Sequence, residues 1–514
     1  MVFSDPLFVF FFIPIFLLFF YATTRLKNAL LTKLVIVFFS LAFYGWWKVE
    51  YLSIILISIA FNYIVHIAIL RSADSHRNKI FFVTLGITGN LLALGYYKYY
   101  NFFIESLDFM FGFDIQTFSI ILPLAISFFT FQQIAFLCDT YSGKTGQGHF
   151  IDYIIFVCFF PQLIAGPIVH HSNMMPQFAN NFRDWSNYSF QNIKKYLVVG
   201  IALFCVGLFK KVIIADNLSQ VVGPVFDAYA AGDVLSTTET WLGVLAYTSQ
   251  IYFDFSGYSD MAAALAFMVG IRLPRNFFSP YKASSIVDFW RRWHITLSNF
   301  LRDYLYIPLG GNRGGPARRH LNLMITMLLG GLWHGASVVF IAWGALHGSA
   351  LVVCHLWTQH APATARRLLD HGGGWLITML VVIMGWVLFR AADLDTAWSM
   401  LHSMFVGADA WGLQTAGGWP PLAILLILLS GVIAVCFPNT VEIFGDQDVF
   451  IADEKTPRPS PSVGDRPRAF GVTIHVPPFA LNARWAAVIG CLAFFYVVYV
   501  SRIGAHNEFI YFQF

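Results

Sequence analysis

Uncharged apolar runs of about 14 to 16 residues recur along the chain, at Phe8 to Tyr21, Leu34 to Trp47, Ile54 to Ile69, Tyr196 to Phe209, Leu376 to Phe389 and Trp485 to Val500. With interfacial flanks, each approaches the roughly 20 residues that a helix needs to cross a hydrocarbon layer about 30 Å thick. Only 12% of the 514 residues are charged, where a soluble domain carries about 25%. That deficit excludes a soluble globular enzyme. The pattern predicts an all-α polytopic membrane protein with about 10–12 spanning helices plus interfacial helices.

The charge balance of 32 Lys plus Arg against 28 Asp plus Glu gives a net +4, too little to point to nucleic acid, so the placement of cations matters more than their number. No Lys or Arg precedes the first apolar run, while Arg25, Lys27 and Lys33 follow it. It therefore reads as a retained span with its N-terminus outside. Residues 272–319 hold nine basic side chains (Arg272, Arg275, Lys282, Arg291, Arg292, Arg302, Arg313, Arg318 and Arg319) against Asp288 and Asp303, which makes this segment cytoplasmic by the positive-inside rule. Lys210 and Lys211 are read as a cytoplasmic helix end. Residues 438–480 form a polar stretch containing the Pro-rich Thr456 to Arg468; it is read as a loop and assigned no chemistry. Five of the six cysteines lie in or beside apolar runs, and there is no CxxC pair, so neither disulfides nor a metal site are expected.

A polar group inside an apolar helix is costly and is by default a candidate site. The sharpest case is His334, within Leu328 to Ala336, flanked by Gly330, Gly331, Gly335 and Trp333. An uncharged imidazole there could act as a general base or be a core histidine bonded to a neighbouring carbonyl. In Asp288 to Asn299, a helical reading puts Trp290, Trp293 and His294 on one face at i, i+3, i+4 and turns Arg291 and Arg292 away. Interfacial anchoring accounts for the tryptophans and arginines but not for His294. Tyr304 to Gly315 ends this region in a Gly-rich turn around Arg313, where glycine amides and a cation could cradle a phosphate. Asp254 and Asp260 sit in an otherwise apolar helix, either positioning substrate or pairing with arginines of the basic loop.

These motifs together resemble the membrane-bound O-acyltransferase (MBOAT) family, and within it the bacterial branch that includes alginate O-acetyltransferase membrane subunits. The resemblance is carried by Met1 to Ser4, Phe43 to Trp47, Leu94 to Lys98, Leu122 to Gln132, Gln162 to Ile168, Gly207 to Lys211, Asp254 to Asp260, Trp290 to His294 and Gly331 to Gly335, in the family's order. It implies one membrane domain over 1–514, with a helical bundle around a tunnel; within it, 272–319 is read from its charge as a basic cytoplasmic interfacial helix and loop, and a final span from about Arg484 to Ser501 would leave 503–514 as an extracytoplasmic tail. It also implies that His334 is catalytic and that His294 lies across the same tunnel. Trp290, Trp293, Asn299, Arg313, Arg318, Arg319, Trp333 and Asp254 are expected to form the substrate-binding set. The aromatic tail Phe509 to Phe514 is similar to the Phe-x-Tyr-x-x-Phe ending of the small partner peptide in teichoic-acid D-alanylation, which casts Tyr511 as an acyl acceptor; as an interfacial anchor, the tail would need no particular tyrosine.

A transporter would show broken helices in related halves, and no internal repeat is visible. The sequence instead sets two histidines forty positions apart around a basic loop. The expected activity is that of an inner-membrane O-acetyltransferase. It would use acetyl-CoA as donor substrate with no resident cofactor, a periplasmic acetyltransferase as partner, and an exported polysaccharide, foremost alginate, as acceptor, within a lipid bilayer. D-alanyl or another acyl transfer to a cell-wall glycan is the alternative within the enzyme class.

Overall fold

A computed structural model describes residues 2–112, 116–362, 372–406, 421–451 and 474–503. Every regular element among them is helical, and each of the six apolar runs becomes a helix. Among the described residues, six helices are long and apolar enough to cross a membrane: Phe8–Arg25, Tyr51–Arg71, His76–Phe111, Phe190–Ala230, Val338–His360 and Ala483–Ser501. Pro421–Cys436 and Thr440–Gln447, bent by 52°, make a seventh if counted as one span, and Ala29–Gly45 and Gly374–Arg390 are shorter apolar helices. The ten to twelve spans expected from sequence exceed this count. Part of the reason is the helix Thr237–Met268, which is 32 residues long but carries Glu239, Asp254 and Asp260 among serines and threonines.

The chain divides into two compact units, one formed by Met1–Phe204 with Met261–Pro274, the other by Cys205–Asp260 with Arg275–Phe514. In the first unit, the rings of Phe8, Phe12, Phe16 and Phe43 close on Phe160 with centroids 5.1 to 6.2 Å apart. Ser40 accepts the Phe160 amide at 3.1 Å, and Lys33 pairs with Asp152 at 2.5 Å. Thus a polar pair and an aromatic cluster fix the helix Ala29–Gly45 against the chain around Phe160.

In the second unit, the helices Gly315–His334 and Val338–His360 form a hairpin whose closeness depends on two glycines. A Cβ on Gly331 would collide with the Phe340 carbonyl oxygen, and one on Gly344 with the Met327 carbonyl oxygen. The hairpin therefore meets backbone to backbone, as small residues allow in membranes, and it sets His334, Trp343 and His347 side by side.

Lys210 and Lys211 do not mark a helix end. They lie in a π-helical stretch, Phe209–Ala215, inside the longer helix. Lys211 is buried and pairs with Asp216 at 2.6 Å and Asp254 at 2.8 Å, while Lys210 reaches Asp260 at 2.6 Å. The carboxylates thus find lysines rather than the arginines of the basic loop, because these lysines are desolvated beside them and an unpaired buried charge is costly.

Substituting Gly344→Ala is expected to overpack the hairpin and destabilise the protein by about 1–3 kcal/mol, seen as a lower melting temperature in detergent, with activity falling as His334 and Trp343 part. An unchanged melting temperature would show that the helices can separate freely.

Candidate active site

His334 ends its helix, with Gly335 continuing in extended conformation. Its side chain is 6% exposed and is walled by the rings of Trp333, Trp343 and Phe389 at centroid distances of 4.9, 5.1 and 5.1 Å. The flanking glycines serve the protein's own packing: Gly331 admits the Phe340 backbone, Gly330 admits Leu301, and Gly335 admits the Phe340 ring.

His294 is completely buried, between Phe255 at 4.8 Å and Trp333 at 6.3 Å. Both candidate catalytic imidazoles therefore adjoin the Trp333 indole. The single amphipathic helix expected over Asp288 to Asn299 is not formed. One helix, Ile286–Trp290, ends before Arg291, and another, Ile295–Leu301, begins after His294, which has φ 41°. The break is held from outside the segment. The Phe278 amide donates to the Arg292 carbonyl and the Ile295 amide to the Asn276 carbonyl, both at 2.9 Å, bonds that would not form if the helix continued. As a result Trp290, Trp293 and His294 do not share a face. Trp293 stacks among Phe277, Phe289 and Trp386 at 4.8 to 5.7 Å, Trp290 faces Trp343 and His347, and His294 faces Trp333. Arg292 bonds to Asp288 at 2.8 Å.

The Asn276 side chain determines the tautomer of His294. Its Oδ1 accepts from the Thr296 hydroxyl at 2.9 Å and amide at 3.4 Å, which identifies that atom as the oxygen. His294 Nδ1 lies 3.1 Å from the same oxygen and must be the donor. His294 Nε2 is then a bare lone pair, and it has no hydrogen-bond partner among the described residues. Burial lowers the imidazole pKa to about 3, so His294 stays neutral at physiological pH with Nε2 available as an acceptor.

The remaining predicted residues are dispersed. Trp333 separates the two histidines. Asn299 lies half-buried in Ile295–Leu301. Arg313 and Arg318 are exposed, and Arg319 is half-buried with its guanidinium 3.3 Å from His320. The phosphate cradle read into the Gly-rich turn is only partly available, since the amides of Gly310 and Gly311 donate to the carbonyls of Ile307 and Tyr306. Asp254 is engaged by Lys211, and Tyr511 lies outside the described residues. The stretch 438–480 adds two anchors that its sequence did not announce: Thr440 donates to Asp260 and Asn439 to Ser279, both at 2.8 Å. A short helix, Thr440–Phe444, starts there on an Asn439–Glu442 capping box, while Thr456 to Arg468 lies outside the described residues.

Sequence reasoning missed Asn276, which carries no motif, and His347, whose signal was present: a histidine in the uncharged apolar interior of Val338–His360 meets the same criterion that singled out His334.

Two buried imidazoles, of His334 and His294, thus adjoin one indole within a bundle of apolar helices. Residues 144–392 match the family described as MBOAT, membrane-bound O-acyltransferase family. The chain is 43% identical over 430 residues to a peptidoglycan O-acetyltransferase of Helicobacter pylori, covering 79% of this chain and 80% of that one. It is 38% identical to a probable alginate O-acetylase of Azotobacter vinelandii, over the whole length of both. A teichoic acid D-alanyltransferase of Streptococcus thermophilus is 25% identical over 57% of this chain and 74% of its own. The protein belongs to the membrane-bound O-acyltransferase family and is a multi-pass membrane enzyme.

Replacing Asn276 by Asp would put a carboxylate beside His294 Nδ1 and raise that pKa from about 3. The wild type should show no acid limb from His294 above pH 4, whereas Asn276→Asp should lose activity as pH falls through 6, because Nε2 then binds a proton. The pH–rate profiles of the two proteins check this, and superimposable profiles would refute it.

Proposed function

We propose that this enzyme transfers an acetyl group from cytoplasmic acetyl-CoA, through the bacterial inner membrane, to the O-acetylation of an exported polysaccharide of the alginate type. The observation that carries the reading is that buried His334 and buried His294, whose Nε2 has no hydrogen-bond partner among the described residues, adjoin the same Trp333 indole. In the transfer, an acceptor hydroxyl oxygen attacks the thioester carbonyl, the C–O bond forms and the C–S bond breaks. His334 takes the hydroxyl proton and returns it to the departing thiolate. His294 donates nothing from Nε2; it accepts, and so orients an O–H or N–H brought next to Trp333.

Probable alginate O-acetylases among the relatives match the full chain, which supports alginate; the Helicobacter pylori relative, at 43% identity, supports a cell-wall glycan as second reading. Acetyl content of both polymers in a deletion strain separates the two. A cytoplasmic thioester and an external polymer require a relay. Tyr511 is the proposed first acceptor, and a periplasmic acetyltransferase is the partner that carries the group onward, since an aryl acetate is an activated ester.

Replacing His334 by Ala should reduce polymer acetylation about 10²- to 10⁴-fold with normal membrane insertion. With labelled acetyl-CoA, mass analysis should find one acetyl on Tyr511 in the wild type and none in His334→Ala or Tyr511→Phe. Normal acetylation in His334→Ala would end the catalytic assignment, and normal acetylation in Tyr511→Phe would end the relay.

Arg313 and Arg318 are exposed cations suited to the phosphates of the donor. Neutralising them together with Arg319 should raise the KM for acetyl-CoA while leaving kcat nearly unchanged, because contacts remote from the thioester bind ground and transition states alike. The same KM should rise with ionic strength in the wild type. A loss of kcat at unchanged KM would assign these arginines another role.

A further inference from the structure

Arg390 closes the helix Gly374–Arg390 and is half-buried, yet it has no hydrogen bond or ion pair among the described residues. Its guanidinium lies over the Phe226 ring at 5.7 Å, and its charge reaches Tyr247. Both of those side chains are buried, so the cation is directed among the helices, while its partial exposure leaves one side open to a partner. Other cations of the same unit at similar or greater depth are matched: Lys210 by Asp260, Lys211 by Asp216 and Asp254, Arg292 by Asp288, all at 2.6 to 2.8 Å. An arginine cannot shed its proton, and a charge in apolar surroundings without a counter-ion is costly and by default functional.

The place of Arg390 in the fold limits which anion meets it. Trp375, near the start of the same helix, donates to the Tyr281 carbonyl in the basic segment at 2.8 Å. Arg390 is about 22 Å further along at 1.5 Å per residue, at the end remote from the cytoplasmic cations. It is also next to the chemistry, since the ring of the preceding Phe389 is 5.1 Å from that of His334. The last described helix, Ala483–Ile503, leads towards the same place. Its Tyr499 lies within reach of the charges of Asp216 and Lys211, and Ile503 is about 6 Å beyond Tyr499. Phe226, in the helix Asp216–Ala230, is about 15 Å beyond Asp216. With both helices running outward, Ile503 stands about 9 Å short of the level of Arg390 along the bundle.

Residues 504–514 hold one acidic side chain, Glu508, which like Tyr511 lies outside the described residues. It follows Ile503 by five residues, an extended reach of about 17 Å, and precedes Tyr511 by three, about 10 Å. The first distance covers the rise to Arg390, and the second is on the scale of the step from Arg390 past Phe389 to His334. We propose that Arg390 is a positioning residue for the tail: its guanidinium pairs with the Glu508 carboxylate and so sets the Tyr511 phenol against His334. The pairing supplies the anion that Arg390 lacks. The inference rests on the Tyr511 relay above and adds to it the contact that docks the segment.

A charge exchange tests it on the full chain in membranes. With labelled acetyl-CoA, Arg390→Glu and Glu508→Arg should each lower the acetyl found on Tyr511 about tenfold or more. The double exchange should recover most of it, which the loss of a merely structural arginine would not allow. Independently of the chemistry, Arg390→Cys combined with Glu508→Cys should cross-link under mild oxidation faster than Arg390→Cys combined with Gln513→Cys, read by peptide mass. Full labelling of Tyr511 in Glu508→Gln, single variants that insert normally but are not rescued by the exchange, or a cross-link no faster than the control would overturn the proposal. So would an Arg390→Gln variant that stops polymer acetylation yet leaves Tyr511 labelled, since the guanidinium would then serve a carboxylate of the polymer. If the cross-link forms while wild-type Tyr511 carries no acetyl, the relay fails and the pairing stands; if Tyr511 is labelled regardless of Arg390 and Glu508, only the pairing fails.

Discussion

Two carbonyl oxygens, of Phe340 and Met327, occupy the places where side chains would begin at Gly331 and Gly344. Association of helices in lipid gains little from the hydrophobic effect and depends on such close van der Waals approach. The hairpin of Gly315–His334 and Val338–His360 exists at this separation because those two positions lack a Cβ, and the arrangement of the site follows. His334 closes one helix; on the other, Trp343 meets its ring edge-on at 5.1 Å, and His347, one turn further along, lies 4.8 Å from the Trp343 ring. The aromatic rings of Trp333, Trp343 and Phe389 then wall the His334 imidazole.

The two sides of His334 are built differently. Towards His294, a polar network rooted in Asn276 fixes one tautomer and presents one lone pair. Towards His347, the ring nitrogens have no hydrogen-bond partner among the described residues, and the absent side chain of Gly385 lets Nε2 approach the helix Gly374–Arg390 closely. The His334 imidazole thus reaches, through Trp333, a partner whose tautomer is pre-set and, through Trp343, one whose tautomer no hydrogen bond selects among the described residues.

Much of this was legible from residue order alone. The six apolar runs all became helices, because a run of that length in lipid must satisfy its backbone internally. His334 and His294 stood out because a polar side chain among apolar ones is expensive. What escaped was non-local. The break at Arg291 to His294 is dictated by Asn276, 18 residues upstream of His294, and its aromatic and cationic spacing mimics a helical face. Lys210 and Lys211 read as an interfacial pair because their carboxylate partners Asp260 and Asp254 lie far along the chain. His347 escaped for a different reason: its neighbours Gly344 and Gly348 drew no comparison with the glycine-flanked His334, although the same cost of burial applies.

The ion pairs of this second unit also impose an order on its synthesis. Lys211 has Asp216 five residues away, so it can be neutralised almost as soon as it leaves the ribosome, whereas Lys210 must wait for Asp260, 50 residues later. At about 5–20 residues per second, that interval is on the order of several seconds, during which an ammonium inside an apolar helix has no carboxylate of its own. Lys210 is the less buried of the two, with 13% of its side chain exposed against 3%. The lysine that matures late is thus the one whose flexible stem can keep its charge near water until the helix bearing Asp260 arrives.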